Sequence, residues 1–398
     1  MITLKEYLKS NYPQIFHLTI TGKCNAFCEG CINSLIYGER SSILKDWEGD
    51  PERDFEILNY LLNASSNGSP VYIAFYGGEP LLAFDKIRIL TEKIDQRYRN
   101  KNFKLVIYTN GMLLDKVLSK DREFFKRIEL LIVSIDGRDK QHNLFRKGTK
   151  LSKIEKNLEL LREEVKTPVL MWSTIREEMS LGDCLFEFLK LFNQGLVDYF
   201  YWHLIEKDKP IEKFENFKFS YLSDLRMFFE EFINCLRKGT VLPLLPVCEL
   251  TYFLAKQIRR GHTACGIEEF RNFDILGGKV IPCVDLGDEF LLGELTKEGF
   301  ILMDQVEVEK GLRKLVKYKK NFGCERCEAE FYCGGRCPVL IKTSLERAKQ
   351  YCELTRSFVD LGREFLPEIL KILKQMDLNL TQIYYPYGYL VLLTDVVP

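Results

Sequence analysis

The chain has 398 residues, and its 57 Lys and Arg residues balance 57 Asp and Glu residues to give a formal net charge of zero. This length is enough for a large core and two or more domains. The balanced charge argues against nucleic-acid or membrane-surface partners, and no apolar stretch approaches the roughly 20 residues that a membrane-spanning helix needs. The N-terminus lacks the apolar core of a signal peptide, so we expect a cytoplasmic protein.

Cysteine is abundant, with 13 residues, whereas histidine is scarce, with four. Intracellular chains seldom carry so many cysteines for disulfide bonds, so clustered cysteines indicate metal ligation. The few histidines disfavour a histidine-based site, and thiolate ligands favour iron–sulfur clusters or zinc.

The first cysteine cluster consists of Cys24, Cys28 and Cys31, directly after an alternating, β-rich run at 16–20. That run predicts a strand, with the cysteines in the loop at its C-terminal end. Three thiolates on one loop can face one point and bind a metal or an iron–sulfur cluster. The count matters because a closed structural site uses four protein ligands, whereas a reactive site keeps one position open. A zinc knuckle with a distant fourth ligand and plain buried thiols are the alternatives.

Strand and helix patterns alternate through the first half of the chain. Six strands are predicted, at 16–20, 71–76, 103–108, 130–133, 169–174 and 199–204. Helices are predicted between and after them, at 50–62, 87–98, 114–128, 154–165 and 185–192. The alternation predicts an α/β fold, a partial (β/α)6 TIM-like barrel with a parallel sheet inside and helices outside. In the first four strand–helix pairs, segments rich in Gly, Asn, Asp and Cys follow the C-terminal ends of the strands. Such barrels carry their active sites at these ends, although ordinary turns use the same residue types.

The second predicted strand ends in Gly77-Gly78-Glu79-Pro80. The two glycines allow the backbone to approach a ligand closely, and Glu79 supplies a carboxylate acceptor. The motif is informative because it lies one strand–helix unit after the three-cysteine loop.

The spacing Cys24-x3-Cys28-x2-Cys31 and the Gly77-Gly78-Glu79-Pro80 motif together resemble the radical S-adenosylmethionine (SAM) enzymes. The resemblance implies that the three cysteines hold a 4Fe–4S cluster whose open iron chelates SAM. It implies reductive cleavage of SAM to a 5′-deoxyadenosyl radical that abstracts a substrate hydrogen. It also implies that Gly77, Gly78 and Glu79 bind the amino group of SAM.

A third segment, Ser134-Ile135-Asp136-Gly137 followed by His142 and Arg146, is similar to the same family. The similarity implies that Ser134 and Arg146 contact bound SAM. The chain departs from the family at Gly30, where many members place an aromatic residue near the adenine. Another residue such as Phe27 would have to pack against the adenine here.

Seven cysteines fall within ninety residues of the second half: Cys265, Cys283, Cys324, Cys327, Cys333, Cys337 and Cys352. These cysteines could bind two structural zinc ions or two iron–sulfur clusters, and either would stabilise a loop-rich segment. A hairpin is predicted at 272–281, turning at Gly277-Gly278. Cys184 and Cys235 are predicted to be plain buried thiols.

The cysteine spacing of this segment resembles the SPASM domain, which follows the barrel in many radical SAM enzymes and holds two auxiliary 4Fe–4S clusters. The resemblance implies that the first auxiliary cluster binds Cys265, Cys283 and Cys337, with Cys248 as the candidate fourth ligand. It implies that the second auxiliary cluster binds Cys324, Cys327, Cys333 and Cys352.

Four domains are therefore expected along the chain. They are a radical SAM barrel at 1–205, a helical bridge at 206–262, a SPASM domain at 263–355, and a C-terminal helix and strand at 356–398. The final strand is predicted at 383–397. About 15 residues precede the first strand, too few for a leader-binding domain, which favours an enzyme that acts without one.

A barrel followed by a SPASM domain resembles enzymes that modify ribosomally made peptides or proteins, using a reductant such as flavodoxin or ferredoxin. Peptide maturation by cross-linking or another oxidation is the first expectation, and a sulfatase-maturating enzyme is the runner-up. Members of the latter group are suggested to use an Asp as base directly after the cysteine that matches Cys283, but here Val284 stands there and Asp285 follows. A one-residue shift turns a side chain to the opposite face of an extended segment, so Asp285 is a candidate base or an ordinary turn residue. A small-molecule dehydrogenase and a non-catalytic iron–sulfur or zinc protein remain open.

Overall fold

The structure is a computed structural model that describes residues 4–10, 12–31, 47–66, 68, 70–99, 101–378 and 390. The chain divides into two compact units. The first comprises Met1–Ser134, Arg146–Val169 and Gly266–Lys317, and the second comprises Ile135–Phe145, Leu170–Cys265 and Tyr318–Pro398. The segment predicted as one domain at 263–355 therefore contributes to both units.

The first unit begins with four parallel strands and the helices that follow them. The strands are β1 (Gln14–Thr21), β2 (Val71–Gly77), β3 (Phe103–Thr109) and β4 (Ile128–Ser134), which pair in that order. The helices are Leu4–Lys9, Pro51–Ala64, Phe84–Arg97, Leu114–Phe125 and Leu151–Glu164. The predicted α/β class with a parallel sheet is confirmed, and the predicted elements lie within three residues of the observed bounds.

Local sequence explains why these elements form. Residues 71–75 of β2 are buried on both faces, as expected for a parallel strand covered by helices. The helix Pro51–Ala64 begins after Asp50, whose carboxylate accepts the N–H of Glu52 at 3.0 Å, and Pro51 occupies the first turn. Its buried face consists of apolar residues at helical spacing, namely Ile57, Leu58, Leu61 and Leu62.

The first unit continues with four further strands from the second half of the chain, β7 (Asn272–Leu276), β8 (Lys279–Ile281), β9 (Gly293–Thr296) and β10 (Gly299–Leu302). Strand β7 pairs with β1 in parallel, and β8, β9 and β10 follow outward in antiparallel order. The helix Gln305–Leu315 comes next. The predicted hairpin at 272–281 is confirmed, because Gly277 and Gly278 have φ angles of 62° and 89°, as a tight two-residue turn requires.

The second unit contains the parallel strands β5 (Val169–Ile175) and β6 (Tyr199–Leu204). Its helices are Asp139–Phe145, Leu181–Asn193, Phe214–Arg237, Leu245–Lys256, Tyr318–Phe322, Glu330–Cys333, Pro338–Thr343 and Leu345–Gln375. Aromatic side chains fill its core, for example Trp202, Phe228 and Phe358. The bridge predicted at 206–262 is thus helical, while the strand predicted at 383–397 lies outside the described residues except for Leu390. Within the described part of the chain, no helix combines the length and apolarity needed to cross a bilayer.

Candidate cofactor sites

The loop that carries the first three cysteines is bound to the end of β2 in the first unit. The N–H groups of Gly78 and Glu79 donate to the carbonyls of Thr21 and Lys23, both at 2.8 Å. A Cβ on Gly77 would lie 2.2 Å from the Thr21 carbonyl oxygen, and one on Gly78 would lie 2.2 Å from that of Lys23. The close backbone approach that the sequence suggested for a ligand is therefore used by the cysteine loop itself.

Glu79 links the ends of β2 and β3. Its side chain is fully buried. One carboxylate oxygen accepts the Thr109 hydroxyl at 2.7 Å and the Leu81 N–H at 3.1 Å, and the other accepts the Asn110 N–H at 2.7 Å. Burial raises the pKa of Glu79 to about 7 despite these bonds.

Two further contacts position the cysteine loop, and the sequence reasoning missed both. The Asn110 side chain, directly after β3, donates to Oδ1 of Asn25 at 2.8 Å. The N–H of Phe27 donates to the carbonyl of Lys147 at 2.7 Å. At Gly148 the φ angle is +90°, and an added Cβ would lie 3.0 Å from the Ala26 Cα. An Asn directly after a strand at this rim was the available signal for the first contact.

The three thiols of this loop lie close enough to influence one another. Cys24 is at an exposed position, and Cys28 and Cys31 are half-buried. Shielding of the Cys24 thiol from water raises its pKa to about 11, with smaller contributions from Glu79, Cys28 and Cys31. The loop supplies three soft donors, the number expected for an iron–sulfur cluster with one open position.

None of the 13 cysteines, all of which lie among the described residues, forms a disulfide bond. Among the described residues, no group of three or more His, Cys, Asp or Glu side chains is close enough to hold a single metal ion.

The residues expected to contact SAM occupy the same rim. Ser134 ends β4, and Arg146 is buried. Phe27, considered for adenine packing, is 80% exposed and is available for a planar ligand.

Asp136, in the segment 135–145 of the second unit, has a structural role. Asp136 is fully buried and pairs with Arg176 at 2.7 Å. Its N–H donates to Nδ1 of His142 at 3.1 Å. The Asp and His that the resemblance singled out therefore support each other locally.

A polar cluster on the inner face of the sheet was not found from the sequence. His17 of β1 places Nδ1 2.7 Å from Oδ1 of Asn272 and 4.0 Å from Oδ1 of Asp274, both on β7. Its Nε2 lies 3.3 Å from the Tyr108 hydroxyl on β3. The Tyr76 ring packs edge-on to that of Tyr108 at 5.3 Å. The alternation of His17 with apolar neighbours in β1 was the available signal.

Asp285, the candidate base, lies beside the same cluster. The Cys283 thiol donates to Oδ2 of Asp285 at 3.7 Å, and the N–H of Val284 donates to Oδ2 of Asp274 at 2.8 Å. Burial raises the pKa of Tyr76 well above its ordinary value, and Cys31, Asp285 and Asp274 add to the effect. Asp285 is half-buried and not a freely exposed turn residue.

In the second unit, the four cysteines expected to hold the second auxiliary cluster lie near one another. Burial raises the pKa of Cys324 to about 11 and that of Cys352 to about 12. Smaller contributions to the Cys324 value come from Cys333 and Cys327, and to the Cys352 value from Cys333 and Cys324. Cys333 thus influences both Cys324 and Cys352, and the assignment of the four cysteines to one cluster stays a prediction.

The remaining cysteines are distributed differently. Cys265 and Cys337 belong to the second unit and Cys283 to the first. Cys248 is buried in the helix Leu245–Lys256, its thiol donates to the Leu242 carbonyl at 3.7 Å, and burial raises its pKa. Assignment of these four to one cluster stays a prediction.

Comparison with known proteins identifies the barrel. Residues 18–175 match the family described as the radical SAM superfamily. The match contains the three-cysteine loop, the glycine motif after β2 and the end of β4. This part of the chain is therefore similar to a radical SAM domain, and the resemblance based on these motifs is confirmed.

Two curated relatives share part of this region. The radical SAM cyclopropyl synthase TigE of Paramaledivibacter caminithermalis is 27% identical over 158 residues, covering 37% of this chain and 32% of the relative. An uncharacterized protein of Methanocaldococcus jannaschii is 29% identical over 125 residues, covering 30% of this chain and 37% of the relative. The chain thus spans about a third of the length of these relatives.

Solved structures share the fold over most of the chain. Native anSMEcpe with bound AdoMet and Cp18Cys peptide superposes with a TM-score of 0.71 and 20% identity, covering 90% of this chain and 98% of that one. Native anSMEcpe with bound AdoMet alone gives a TM-score of 0.70 and 20% identity, covering 90% of this chain and 99% of that one. These matches confirm the fold predicted for the barrel and for the cysteine-rich region after it.

Proposed function

We propose that the chain is a radical SAM enzyme that abstracts hydrogen from a ribosomally made peptide or protein and thereby forms a cross-link or another oxidation product. The observation that carries this proposal is the position of the three-cysteine loop, which is held at the C-terminal ends of β1, β2 and β3. The same sheet carries the polar cluster around His17. When bound by Cys24, Cys28 and Cys31, a 4Fe–4S cluster supplies the electron that cleaves SAM to methionine and a 5′-deoxyadenosyl radical.

The residues around the loop bind and orient SAM in this proposal. Gly77 and Gly78 hold the loop against β2, and Glu79 accepts a hydrogen bond from the SAM amino group. Ser134 and Arg146 contact the remainder of the molecule from the same rim. The buried position of Glu79 removes competing water from that hydrogen bond.

The inner polar cluster of His17, Tyr108, Asn272 and Asp274 provides a place for a polar group of the substrate. These side chains are held by one another, so a substrate that hydrogen-bonds to Tyr108 or His17 is oriented without reorganisation of the site. A peptide backbone or side-chain amide has the donor and acceptor groups that such a surface recognises.

The cysteines of the C-terminal half hold two auxiliary 4Fe–4S clusters in this proposal. The second auxiliary cluster binds Cys324, Cys327, Cys333 and Cys352, and the influence of Cys333 on both Cys324 and Cys352 supports this grouping. The first auxiliary cluster binds Cys265, Cys283 and Cys337, with Cys248 as the fourth candidate. A one-electron carrier such as flavodoxin or ferredoxin is the reductant, and the protein acts in the cytoplasm.

A peptide substrate is supported by two relatives of different kinds. The fold is shared with a structure of anSMEcpe that binds both AdoMet and a peptide, and the barrel sequence is related to a radical SAM cyclopropyl synthase. Neither relative specifies which bond this chain forms.

Formylglycine formation in a sulfatase is the second candidate. The fold match to anSMEcpe is compatible with it. Asp285 lies within hydrogen-bonding distance of the Cys283 thiol and near the inner cluster, where a base could accept a substrate proton.

The experiment is anaerobic co-expression with the short open reading frames that flank the gene, followed by mass spectrometry of the peptides. A sulfatase-derived Cys/Ser peptide and small alcohols are incubated in parallel, and Cys24→Ala is the inactive control. A flanking peptide lighter by two hydrogens, with fragmentation blocked between two residues, is the result expected for a cross-linking maturase. Conversion of only the sulfatase peptide, or only of an alcohol, would replace this proposal by the corresponding alternative.

A further inference from the structure

Arg336 is a buried cation within the C-terminal cysteine segment of the second unit. It follows Cys333 by three residues and directly precedes Cys337. Only 4% of its surface is exposed. A charged side chain is rarely buried to this degree unless opposite charge or hydrogen bonds compensate its desolvation.

The contacts of Arg336 place it against the helix that carries Cys352. Its Nη1 donates to the Thr355 hydroxyl at 3.3 Å, and its guanidinium stacks over the Tyr351 ring at 5.2 Å. Both partners lie in the helix Leu345–Gln375, on either side of Cys352. Thr355 is three residues after Cys352 and therefore on the same helical face.

One acidic side chain lies near the Arg336 guanidinium. Glu206 lies 3.9 Å from Nη2 of Arg336.

Two other buried arginines of the same unit are arranged differently. Arg260 lies 2.7 Å from Glu249, and Arg347 lies 2.6 Å from Glu177. Their charges are balanced at close range by a carboxylate. The Arg336–Glu206 pair is longer, at 3.9 Å, and the Arg336 guanidinium contacts Tyr351 and Thr355, on either side of Cys352.

We propose that Arg336 is a positioning residue whose buried charge raises the reduction potential of the iron–sulfur cluster held by Cys324, Cys327, Cys333 and Cys352. The inference rests on the proposed function, since it requires that these cysteines hold a cluster. One-electron reduction adds a negative charge to a cluster, and a nearby cation in a medium of low dielectric constant stabilises the reduced state. Glu206 opposes this effect because its carboxylate partly offsets the Arg336 charge.

The test is a redox titration of the anaerobically reconstituted full-length protein, monitored by electron paramagnetic resonance. Cys24, Cys28 and Cys31 are replaced by Ala in all samples, so that only the auxiliary clusters titrate. We expect Arg336→Gln to disfavour reduction of the cluster at least tenfold. For one electron this corresponds to a midpoint potential lower by about 59 mV. We expect Glu206→Gln to shift the midpoint in the opposite direction.

Two controls separate charge from packing. Arg336→Lys keeps the charge and should restore most of the wild-type midpoint. Arg363→Gln removes an exposed Arg from the helix that carries Cys352 and should leave the midpoint unchanged. An Arg336→Gln protein with full iron content and the wild-type midpoint would overturn the inference. If the Arg336→Gln protein does not load the cluster, the Glu206→Gln protein is used for the test. A wild-type midpoint in Glu206→Gln would then overturn the inference.

Failure of the proposed cluster is recognised separately. The double variant Cys324→Ala and Cys352→Ala leaves two of the four proposed thiolates and is expected to lose about four iron atoms per chain. If this double variant keeps the full iron content, the ligand assignment is wrong and the inference on Arg336 falls with it. If the iron is lost as expected but the Arg336 midpoint does not move, only the inference on Arg336 is overturned.

Discussion

Glu79 is fully buried, and hydrogen bonds from Thr109, Asn110 and Leu81 reach its two carboxylate oxygens. Glu79→Gln would place an amide NH2 against a group that now donates to the carboxylate. We expect the free energy of unfolding in urea to fall by about 1–3 kcal/mol. The control Glu123→Gln alters an exposed pair with Lys126 and should change it by less than about 0.5 kcal/mol. Equal stability of the two variants would argue against this role.

The pKa of Glu79 also predicts a pH dependence. Burial raises it from 4.5 to about 7, so between these values the folded chain keeps a proton that the unfolded chain releases. Glu79 therefore contributes fully to the free energy of unfolding below about pH 4.5. This contribution, about 3 kcal/mol, is lost as the pH rises through about 7. The destabilisation caused by Glu79→Gln should be larger at about pH 5 than at about pH 8. A difference that is constant with pH would contradict the raised pKa.

Tyr108 tests the inner polar cluster. Tyr108→Phe removes the hydroxyl that lies 3.3 Å from Nε2 of His17. We expect modified product per 5′-deoxyadenosine to fall about tenfold because the substrate is less well oriented, while the rate of SAM cleavage stays the same. The matched control is Tyr98→Phe, whose hydroxyl donates to the Asn59 carbonyl. A loss that is equal in both variants would place the substrate elsewhere.

At the scale of elements, the glycines after β2 determine the position of the cysteine loop. A Cβ on Gly78 would lie 2.2 Å from the Lys23 carbonyl oxygen, so Gly78→Ala must displace the loop. We expect about four fewer iron atoms per reconstituted chain and no SAM cleavage. Gly311→Ala is the control, because an added Cβ there meets only Phe290 at 3.4 Å within a helix and should be neutral or stabilising by up to about 1 kcal/mol. Full iron content in Gly78→Ala would show that the loop tolerates displacement.

The elements themselves were predictable because their signals are local. Alternating and apolar runs specified β1 to β6, and the two glycines specified the hairpin at 272–281. The pairing of β7 with β1 was not predictable, because about 250 residues separate the partners and neither strand carries a local signal for the other. His17 and Asp274 are neighbours only through that pairing. For the same reason, the sequence placed Gly77 and Gly78 near a ligand when the cysteine loop occupies that space.

At the scale of the whole molecule, the cysteines specify the cofactor content. Three 4Fe–4S clusters predict about 12 iron atoms per chain after reconstitution, and about eight in the double variant Cys324→Ala and Cys352→Ala, which keeps only two thiolates of the second auxiliary site. Cys235→Ala should retain the full content, since this half-buried cysteine lies in the helix Phe214–Arg237, outside the proposed ligand sets. Iron and zinc are measured together by elemental analysis. Zinc in place of iron would support the alternative that the chain is a non-catalytic zinc protein.

The central claim is that the loop of Cys24, Cys28 and Cys31 supports reductive cleavage of SAM. The most direct measurement is 5′-deoxyadenosine formation by the reconstituted protein with SAM and dithionite, detected by chromatography. We predict formation by the wild type and by Cys235→Ala, and none above background by Cys24→Ala. Cleavage of SAM by Cys24→Ala at the wild-type rate, or none by an iron-loaded wild type, would contradict the account.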